Sequence, residues 1–290
     1  MAILVRPDTR VICQGMTGRA GSFHTGHAIA YGTRMVGGVR PGKGGKRHLD
    51  LPVFDTVAEA AAETAADASI VFVPAPQAAA AMIEAIEAEL ALVVCVTERV
   101  PVLDMVRVRD ALAGSRTRLV GPNSQGVLAP GACKIGVMST VSARPGRIGI
   151  ISRSASLTSE VVAQTSALGL GQSTTVGIGG DPIHGMGFVE CLELFLADPD
   201  TDGIILLGEI GGTGEEEAAD FLRQTKTSKR IVAYVAGRHA PTHRRMGHAG
   251  TVTVFGRGEA DAKIEALAAA GVHIAPNAAA IGTTMKQVLS

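Results

Sequence analysis

Residues 10–21 read Arg-Val-Ile-Cys-Gln-Gly-Met-Thr-Gly-Arg-Ala-Gly (RVICQGMTGRAG). A short apolar run stops at a glycine, and two more glycines follow at three-residue intervals. This is the pattern of a β-strand turning into a helix whose first amides must lie close to a ligand. Downstream, "RMVGGV" (34–39), "SIVFVP" (69–74), "LALVVCVTE" (90–98) and "TRLVGPN" (117–123) repeat the apolar, β-branched character. Between them lie "HTGHAIAYG", "TVAEAAAETA" and "PQAAAAMIEAIEAE", which are good helix formers. Strands alternating with helices predict a parallel sheet covered on both faces.

The alternation pauses over residues 126–146. That stretch holds Pro130, Gly131, Pro145 and Gly146 and lacks a helical period. It is expected to be a linker between a first domain, 1–125, and a second, 147–290. A second alternation then runs through "RIGIISRS", "STTVGIGG", "GFVECLELFLADP", "DGIILLGEIGG", "EEEAADFLRQT", "KRIVAYVAG" and a last helix "GEADAKIEALAAAG". The fold class expected is α/β, with two doubly wound domains in tandem.

Length agrees, since 290 residues are more than one core usually organises. Hydrophobic residues make up 46% and aromatics only 3%, so the cores are expected to be aliphatic and alanine-rich. Lys plus Arg equals Asp plus Glu at 27 each, which gives no reason to expect nucleic acid or an anionic membrane as partner. Cys13, Cys95, Cys133 and Cys191 form no C-x-x-C pair and read as free thiols of a reducing compartment. Arg6 and Asp8 do not suit a signal peptide, and no run of about 18 apolar residues occurs. A cytoplasmic protein is expected.

Gly15, Gly18 and Gly21 are spaced G-x-x-G-x-x-G rather than as the dinucleotide G-x-G-x-x-G. No acid follows the second strand to hold a ribose hydroxyl. Arg40 and Lys43 stand there instead. A nucleotide with an extra phosphate fits, either NADP or coenzyme A, although tight turns alone also call for glycine. Gly37 to Lys43 matches G-x-x-x-x-G-K, but Gly44 stands where a P-loop needs Ser or Thr and no helix can follow. Lys43 is therefore a candidate phosphate contact and not part of a nucleoside triphosphate site.

In the second half, Ser154, Ala155 and Ser156 end a strand and open a helix, which suits an anion site or ordinary serine capping. His248 lies in "RRMGHAGT" (244–251) among the smallest residues available. An imidazole so placed can reach out and carry a bulky group, as a phosphoryl carrier or mobile base must. By spacing alone, an ordinary surface histidine is the simpler reading. Glu209 ends the strand "DGIILLG" and is a candidate to orient His248 through one ring nitrogen. Glu215 to Glu217 read as the acidic first turn of a helix. His239 and His243 are four apart on a Pro-interrupted loop, and no metal site is expected.

These motifs together carry a resemblance. "GMTGRAGSFHT", "YGTRMVGGVRPGKGGKRHLDLPVFDTV", "GPNSQGVLAPGACKIG", "ISRSASLTSE", "VGIGGDPIHG", "GEIGGTGEEEAA" and "RRMGHAG" resemble, in order and through both halves, the α subunit of the succinyl-CoA synthetase family. The resemblance implies an N-terminal CoA-binding Rossmann-like domain and a C-terminal flavodoxin-like ligase domain. It implies an acid–CoA ligase that cleaves ATP or GTP, with Mg²⁺, on an ATP-grasp β subunit in an αβ or α2β2 assembly. Carried onto this sequence, it makes His248 the phosphorylated residue and Glu209 its partner. Thr17, Gly18, Arg19, Ala20, Lys43, Val96, Thr97 and Glu98 become CoA contacts, and Ser154, Ala155 and Ser156 the cradle of the phosphoryl group.

Departures cluster near the expected acid site. Asn123, Ser124 and Gln125 stand in a loop that family members write G-P-N-C-P-G, and Ser159 replaces a tyrosine. Succinate is the family's usual acid, and the added hydroxyls leave malate or citrate as an alternative. A CoA-binding protein without catalysis and an NADP oxidoreductase are the rivals from other classes. With no nucleoside triphosphate motif of its own, the chain is expected to be inactive without its partner.

Overall fold

The computed structural model describes residues 2–241, 247–251 and 258–290. The chain divides into two compact units, one comprising Leu4–Met138 with Ile183–Gly185 and the other formed mainly by Ser139–Pro182 and Met186–Ser290. Ile3 belongs to the second unit, and its amide donates to Thr174 Oγ1 at 3.1 Å.

The N-terminal unit runs β1 (Val11–Gln14), α1 (Arg19–Tyr31), β2 (Met35–Val39), β3 (Arg47–His48), β4 (Leu51–Phe54), α2 (Val57–Thr64), β5 (Ala68–Val71), α3 (Ala75–Glu87), β6 (Leu92–Cys95), α4 (Val102–Leu112) and β7 (Arg118–Val120). All but β3 are parallel, in the order β4-β2-β1-β5-β6-β7. Counted along the chain, the parallel strands lie 3-2-1-4-5-6, the dinucleotide-fold order, whose direction reverses between β1 and β5. Local signals agree with the elements. Thr56 and Glu59 form a capping box at α2. Gly32 closes α1 in the left-handed region with φ 95°. Beneath the helices lies an aliphatic core that includes Ile12, Val39, Val71, Met82 and Val93.

Within the stretch expected as a linker, β8 (Gly126–Ala129) and β9 (Cys133–Gly136) pair antiparallel and are counted with the N-terminal unit. Pro130 and Gly131, which read as linker residues, make the hairpin turn, with Gly131 at φ 76°. The hairpin is tied to the end of α1. Thr33 Oγ1 accepts from the Lys134 amide at 2.9 Å and donates to its carbonyl at 3.0 Å, and the Gly131 amide donates to Tyr31 Oη at 2.8 Å.

The C-terminal unit runs β10 (Pro145–Ser152), α5 (Ala155–Ala167), β11 (Gln172–Gly177), α6 (Phe188–Ala197), β12 (Gly203–Glu209), α7 (Gly214–Gln224), β13 (Arg230–Ala236), α8 (Ala260–Ala269), β14 (His273–Ile274) and α9 (Ile281–Leu289). Its parallel strands lie β14-β13-β12-β10-β11. Counted from β10 this is 2-1-3-4-5, the flavodoxin order, with its reversal between β10 and β12. All four cysteines are free and buried. Burial pushes the Cys13 thiol up to about 12 and Cys133 to about 11, so neither offers a thiolate at neutral pH. Among the described residues no helix is long and apolar enough to cross a membrane.

Candidate functional site

In open parallel sheets, ligands bind beyond the carboxyl ends of the strands where the order reverses. In the C-terminal unit that place is between β10 and β12. Ser152, Arg153 and Ser154 leave β10 there, and Glu209 is the last residue of β12. His248 Nδ1 lies 2.8 Å from Glu209 Oε1 and 2.9 Å from Oε2. An ionised carboxylate only accepts, so Nδ1 carries the proton and the lone pair is left on Nε2.

The imidazole fits because its neighbour has no side chain. A Cβ on Gly180 would lie 2.2 Å from His248 Nδ1. The backbone around His248 is fastened as well. The Gly250 amide donates to Gly180 O at 3.2 Å, and Thr251 donates to His248 O through its amide at 3.2 Å and its hydroxyl at 2.7 Å. The small residues that flank His248 thus allow a close approach to the β11–α6 connection. The hydrogen bond to Glu209 raises the imidazole pKa above its ordinary range. Partial burial and the nearby Arg153 oppose the rise, while the charges of Glu209 and Asp181 add to it.

Behind Glu209 lies a second layer. Arg153 Nη2 is 3.4 Å from Glu209 Oε1, and Arg153 Nη1 donates to Gly211 O at 2.9 Å and to Glu215 Oε1 at 3.1 Å. Lys263 is wholly buried and pairs with Glu215. The acidic first turn of α7 stands as expected, with Glu215, Glu216 and Glu217 in it, but Glu215 has a further role. It points inward, with 1% of its surface exposed, between two cations. Arg153 and Lys263 were not recognised in the sequence. They lie 62 and 48 residues from Glu215, and no local pattern marks them.

Ser154 is the N-cap of α5. Its hydroxyl accepts from the Leu157 amide at 3.4 Å and lies 3.3 Å from Ser156 Oγ. Ala155 and Ser156 are exposed on the first turn; Ser159, one turn further on, is exposed too, and its hydroxyl donates back to Ala155 O at 3.3 Å. Arg244, Arg245 and His243 lie outside the described residues. Among those described, no three His, Cys, Asp or Glu side chains gather to hold a metal ion.

The N-terminal unit places its candidates beyond the carboxyl ends of its parallel strands, with the glycine loop at the reversal between β1 and β5. The loop after β1 bends at Gly15, with φ 84°, and the Gly18 amide donates to Gly15 O at 2.9 Å. A Cβ on Gly21 would fall 2.3 Å from Gly15 O, so only glycine lets α1 begin here. No side chain caps α1 at Gly18. Its first-turn amides face a site that Arg19 and Ala20 leave open, both being exposed. Thr17 Oγ1 is buried and lacks a hydrogen-bond partner among the described residues, as a group waiting for a ligand oxygen would be.

Lys43 lies in the loop after β2. Asp55, unremarked in the sequence, fixes that loop by accepting from the Lys43 amide at 3.0 Å and the Gly44 amide at 2.9 Å. Val96, Thr97 and Glu98 follow β6 at the same end of the sheet, with Thr97 Oγ1 donating to Val73 O at 2.7 Å. Asn123, Ser124 and Gln125 follow β7, and the Ser124 hydroxyl accepts from the Gly126 amide at 2.8 Å. The residues present fit the phosphates of coenzyme A, with backbone amides, a hydroxyl unpaired among the described residues, and a lysine, all beyond the carboxyl ends of β1 and β2.

The family model described as the CoA binding domain matches residues 6–99, and that described as CoA-ligase matches 151–273. The succinate–CoA ligase (ADP-forming) subunit alpha of Aquifex aeolicus is 50% identical over 291 residues, covering 100% of this chain and 95% of that one. This chain belongs to the succinate–CoA ligase α-subunit family. The same subunit of Staphylococcus aureus is 46% identical over 285 residues, covering 98% of this chain and 94% of its own. Among solved structures, ATP citrate lyase from Methanothrix soehngenii, in complex with citrate and coenzyme A, superimposes with a TM-score of 0.88. At 24% identity that likeness speaks for the fold, over 99% of this chain and half the length of the other. Family membership settles the choice left open by the glycine loop: the N-terminal unit is a CoA-binding domain, and not one for NADP.

Proposed function

We propose that this chain is the α subunit of a succinate–CoA ligase, ADP- or GDP-forming, that works through a phosphohistidine at His248. The observation that carries the reading is the Glu209 carboxylate on Nδ1, at 2.8 and 2.9 Å, which leaves Nε2 as the nucleophile. In the proposed reaction the Nε2 lone pair attacks the γ-phosphorus. The N–P bond forms, the P–O bond to the β-phosphate breaks and the nucleoside diphosphate leaves, while the Nδ1 proton stays on its bond to Glu209. A succinate carboxylate oxygen then displaces Nε2 to form an acyl phosphate. The CoA sulfur attacks the acyl carbon, and the thiol proton leaves with the phosphate.

Glu209 orients the ring and balances the charge that builds on it as the N–P bond forms. Ser154, Ala155 and Ser156, at the N-terminus of α5, are the proposed phosphoryl-binding group. Thr17, Gly18, Arg19, Ala20, Lys43, Val96, Thr97 and Glu98 are the proposed CoA contacts, and Asn123, Ser124, Gln125 and Ser159 line the proposed acid side. Malate or citrate as the acid is not favoured. The relatives at 46–50% identity over essentially the whole chain carry succinate in their names, and the hydroxyls of Ser124 and Ser159 already serve their own loop and helix. The nucleoside triphosphate and Mg²⁺ belong to an ATP-grasp β subunit, in a cytoplasmic αβ or α2β2 assembly.

Incubation of the αβ complex with Mg²⁺ and γ-labelled ATP or GTP should place acid-labile label on this chain, discharged by succinate with CoA. The His248→Asn complex should take up none. Equal labelling of His248→Asn would contradict the assignment, as would steady turnover by the purified α chain alone.

A further inference from the structure

The charges around His248 do not end at Glu209. Lys263, Glu215, Arg153 and Glu209 alternate in sign, and their side-chain exposures rise along the row from 0 and 2% to 9 and 10%, ending at the 32% of His248. We propose that Glu215 and Lys263 are positioning residues for His248, acting through Arg153 to divide that guanidinium between two carboxylates. The proposal rests on the phosphohistidine reading and deepens it.

The geometry makes Arg153 the element that is shared. One nitrogen faces Glu209 at 3.4 Å, and the other faces Glu215 at 3.1 Å and Gly211 O at 2.9 Å. Glu215 also accepts from the Glu209 amide at 3.0 Å, so it holds both the backbone of the Glu209 residue and the cation beside its carboxylate. The strand is shaped to admit it, because a Cβ on Gly208 would fall 2.6 Å from Glu215 Oε1. Lys263 closes the row from α8. It binds Glu215, donates to Gly211 O at 2.8 Å and lies 3.7 Å from Glu216.

Stability alone is a poor reason for such a row. Burying charges carries a desolvation cost that pairing must offset, and well-packed apolar residues often do as well or better. Its use is electrostatic. Glu209 must be anionic enough to hold the Nδ1 proton, but not so strong an acceptor that the ring stays an imidazolium with no lone pair on Nε2. Arg153 weakens Glu209 as an acceptor, and the Glu215–Lys263 pair sets how much of Arg153 is free to do so. Among the described residues, the charged groups that bear on the ring are Glu209 from β12, Arg153 from β10 and Asp181 from the connection after β11.

The pair therefore predicts opposite effects from its two members. Lys263→Met leaves Glu215 with Arg153 as its main partner, so Glu209 loses part of its competitor and His248 should hold its proton to higher pH. Glu215→Gln releases Arg153 to Glu209, so His248 should lose its proton at lower pH. Lys263→Arg should match the wild type. The measurement is the imidazole titration of His248 by NMR in the αβ complex carrying isotope-labelled histidine, with His248→Asn to assign the signal. Beside it runs the pH profile of labelling from γ-labelled ATP. By analogy with the outer partners of metal-binding histidines, Lys263→Met should slow labelling by about tenfold at neutral pH and recover as the pH rises.

If a single variant does not fold, the double variant Lys263→Met with Glu215→Gln keeps the interior neutral. Its midpoint should lie below the wild type, because Arg153 then belongs to Glu209 alone. Midpoints that coincide in all variants while stability falls would overturn the proposal, as would shifts of the same sign in Lys263→Met and Glu215→Gln. The titration needs no phosphorylation. Failure of the phosphohistidine reading would show instead as unchanged labelling in His248→Asn.

Discussion

The two units solve one problem with different materials. Each gathers its candidate residues at the carboxyl ends of parallel strands, where the strand order reverses. The N-terminal site is made mostly of backbone. Glycines bring amides to one place, an uncapped helix start adds its partial charge, and the side chains contribute a hydroxyl and a lysine. The C-terminal site is made of side chains, with an imidazole, two carboxylates, a guanidinium and a buried ammonium in mutual contact. A site that only has to hold phosphate can be built from amides, which do not titrate. A site that takes up a phosphoryl group and passes it on needs a group whose charge changes.

The contrast is broken most severely by loss of the imidazole or its carboxylate. His248→Asn should abolish labelling, and Glu209→Gln should slow it by about a thousandfold, both without changing CoA affinity, as calorimetry on the complex would show. Glu209→Gln should also move the pH profile. The wild-type imidazole is held protonated to higher pH than usual, chiefly by its hydrogen bond to Glu209. Stabilisation by the pair is full below the ordinary imidazole pKa and is lost as the pH rises through the raised one. Labelling needs the neutral ring, so its rate climbs over that upper range. The glutamine variant should reach half its own plateau at lower pH than the wild type, and an unshifted midpoint would count against the Glu209 role.

Two glycines sharpen the comparison further. Gly180→Ala puts a methyl group 2.2 Å from Nδ1, displaces the ring and should slow labelling by about a hundredfold, with CoA binding intact. Gly21→Ala puts a methyl group 2.3 Å from Gly15 O and shifts the start of α1. It should weaken CoA binding by about tenfold and lower thermal stability, with labelling by ATP largely spared. If each variant damaged both functions equally, the division of labour between the units would be wrong. The smallest effect belongs to Ser159→Tyr. The serine is exposed and, among the described residues, its hydroxyl bonds its own helix, so stability should change by less than about 0.5 kcal/mol in a melting experiment.

What could be read in advance follows the same division. The β1–loop–α1 unit is local, and a dozen consecutive residues carry its strand, its glycine turn and its helix start. His248 stood out through its glycines and Glu209 through its place at a strand end, although 39 residues separate them. The second layer was silent. Glu215 looks like any acid in a first helical turn, and Lys263, in "ADAKIEALAA", looks like a solvated lysine until α8 packs and turns it inward. The helix α4 was also missed. Its exposed Val102, Leu103 and Val106 and its buried Met105 and Val108 put apolar residues on both faces and blur the period. The β8–β9 hairpin passed for a linker because its turn residues, Pro130 and Gly131, are those of a linker too.

The central claim is that Glu209 occupies Nδ1, so that Nε2 receives the phosphoryl group. ³¹P and ¹⁵N NMR of the phosphorylated αβ complex, with isotope-labelled histidine, distinguishes the two nitrogens by their coupling to phosphorus. The predicted result is a single phosphohistidine bonded through Nε2 of His248. Phosphorus on Nδ1, or on another residue of this chain, would contradict it.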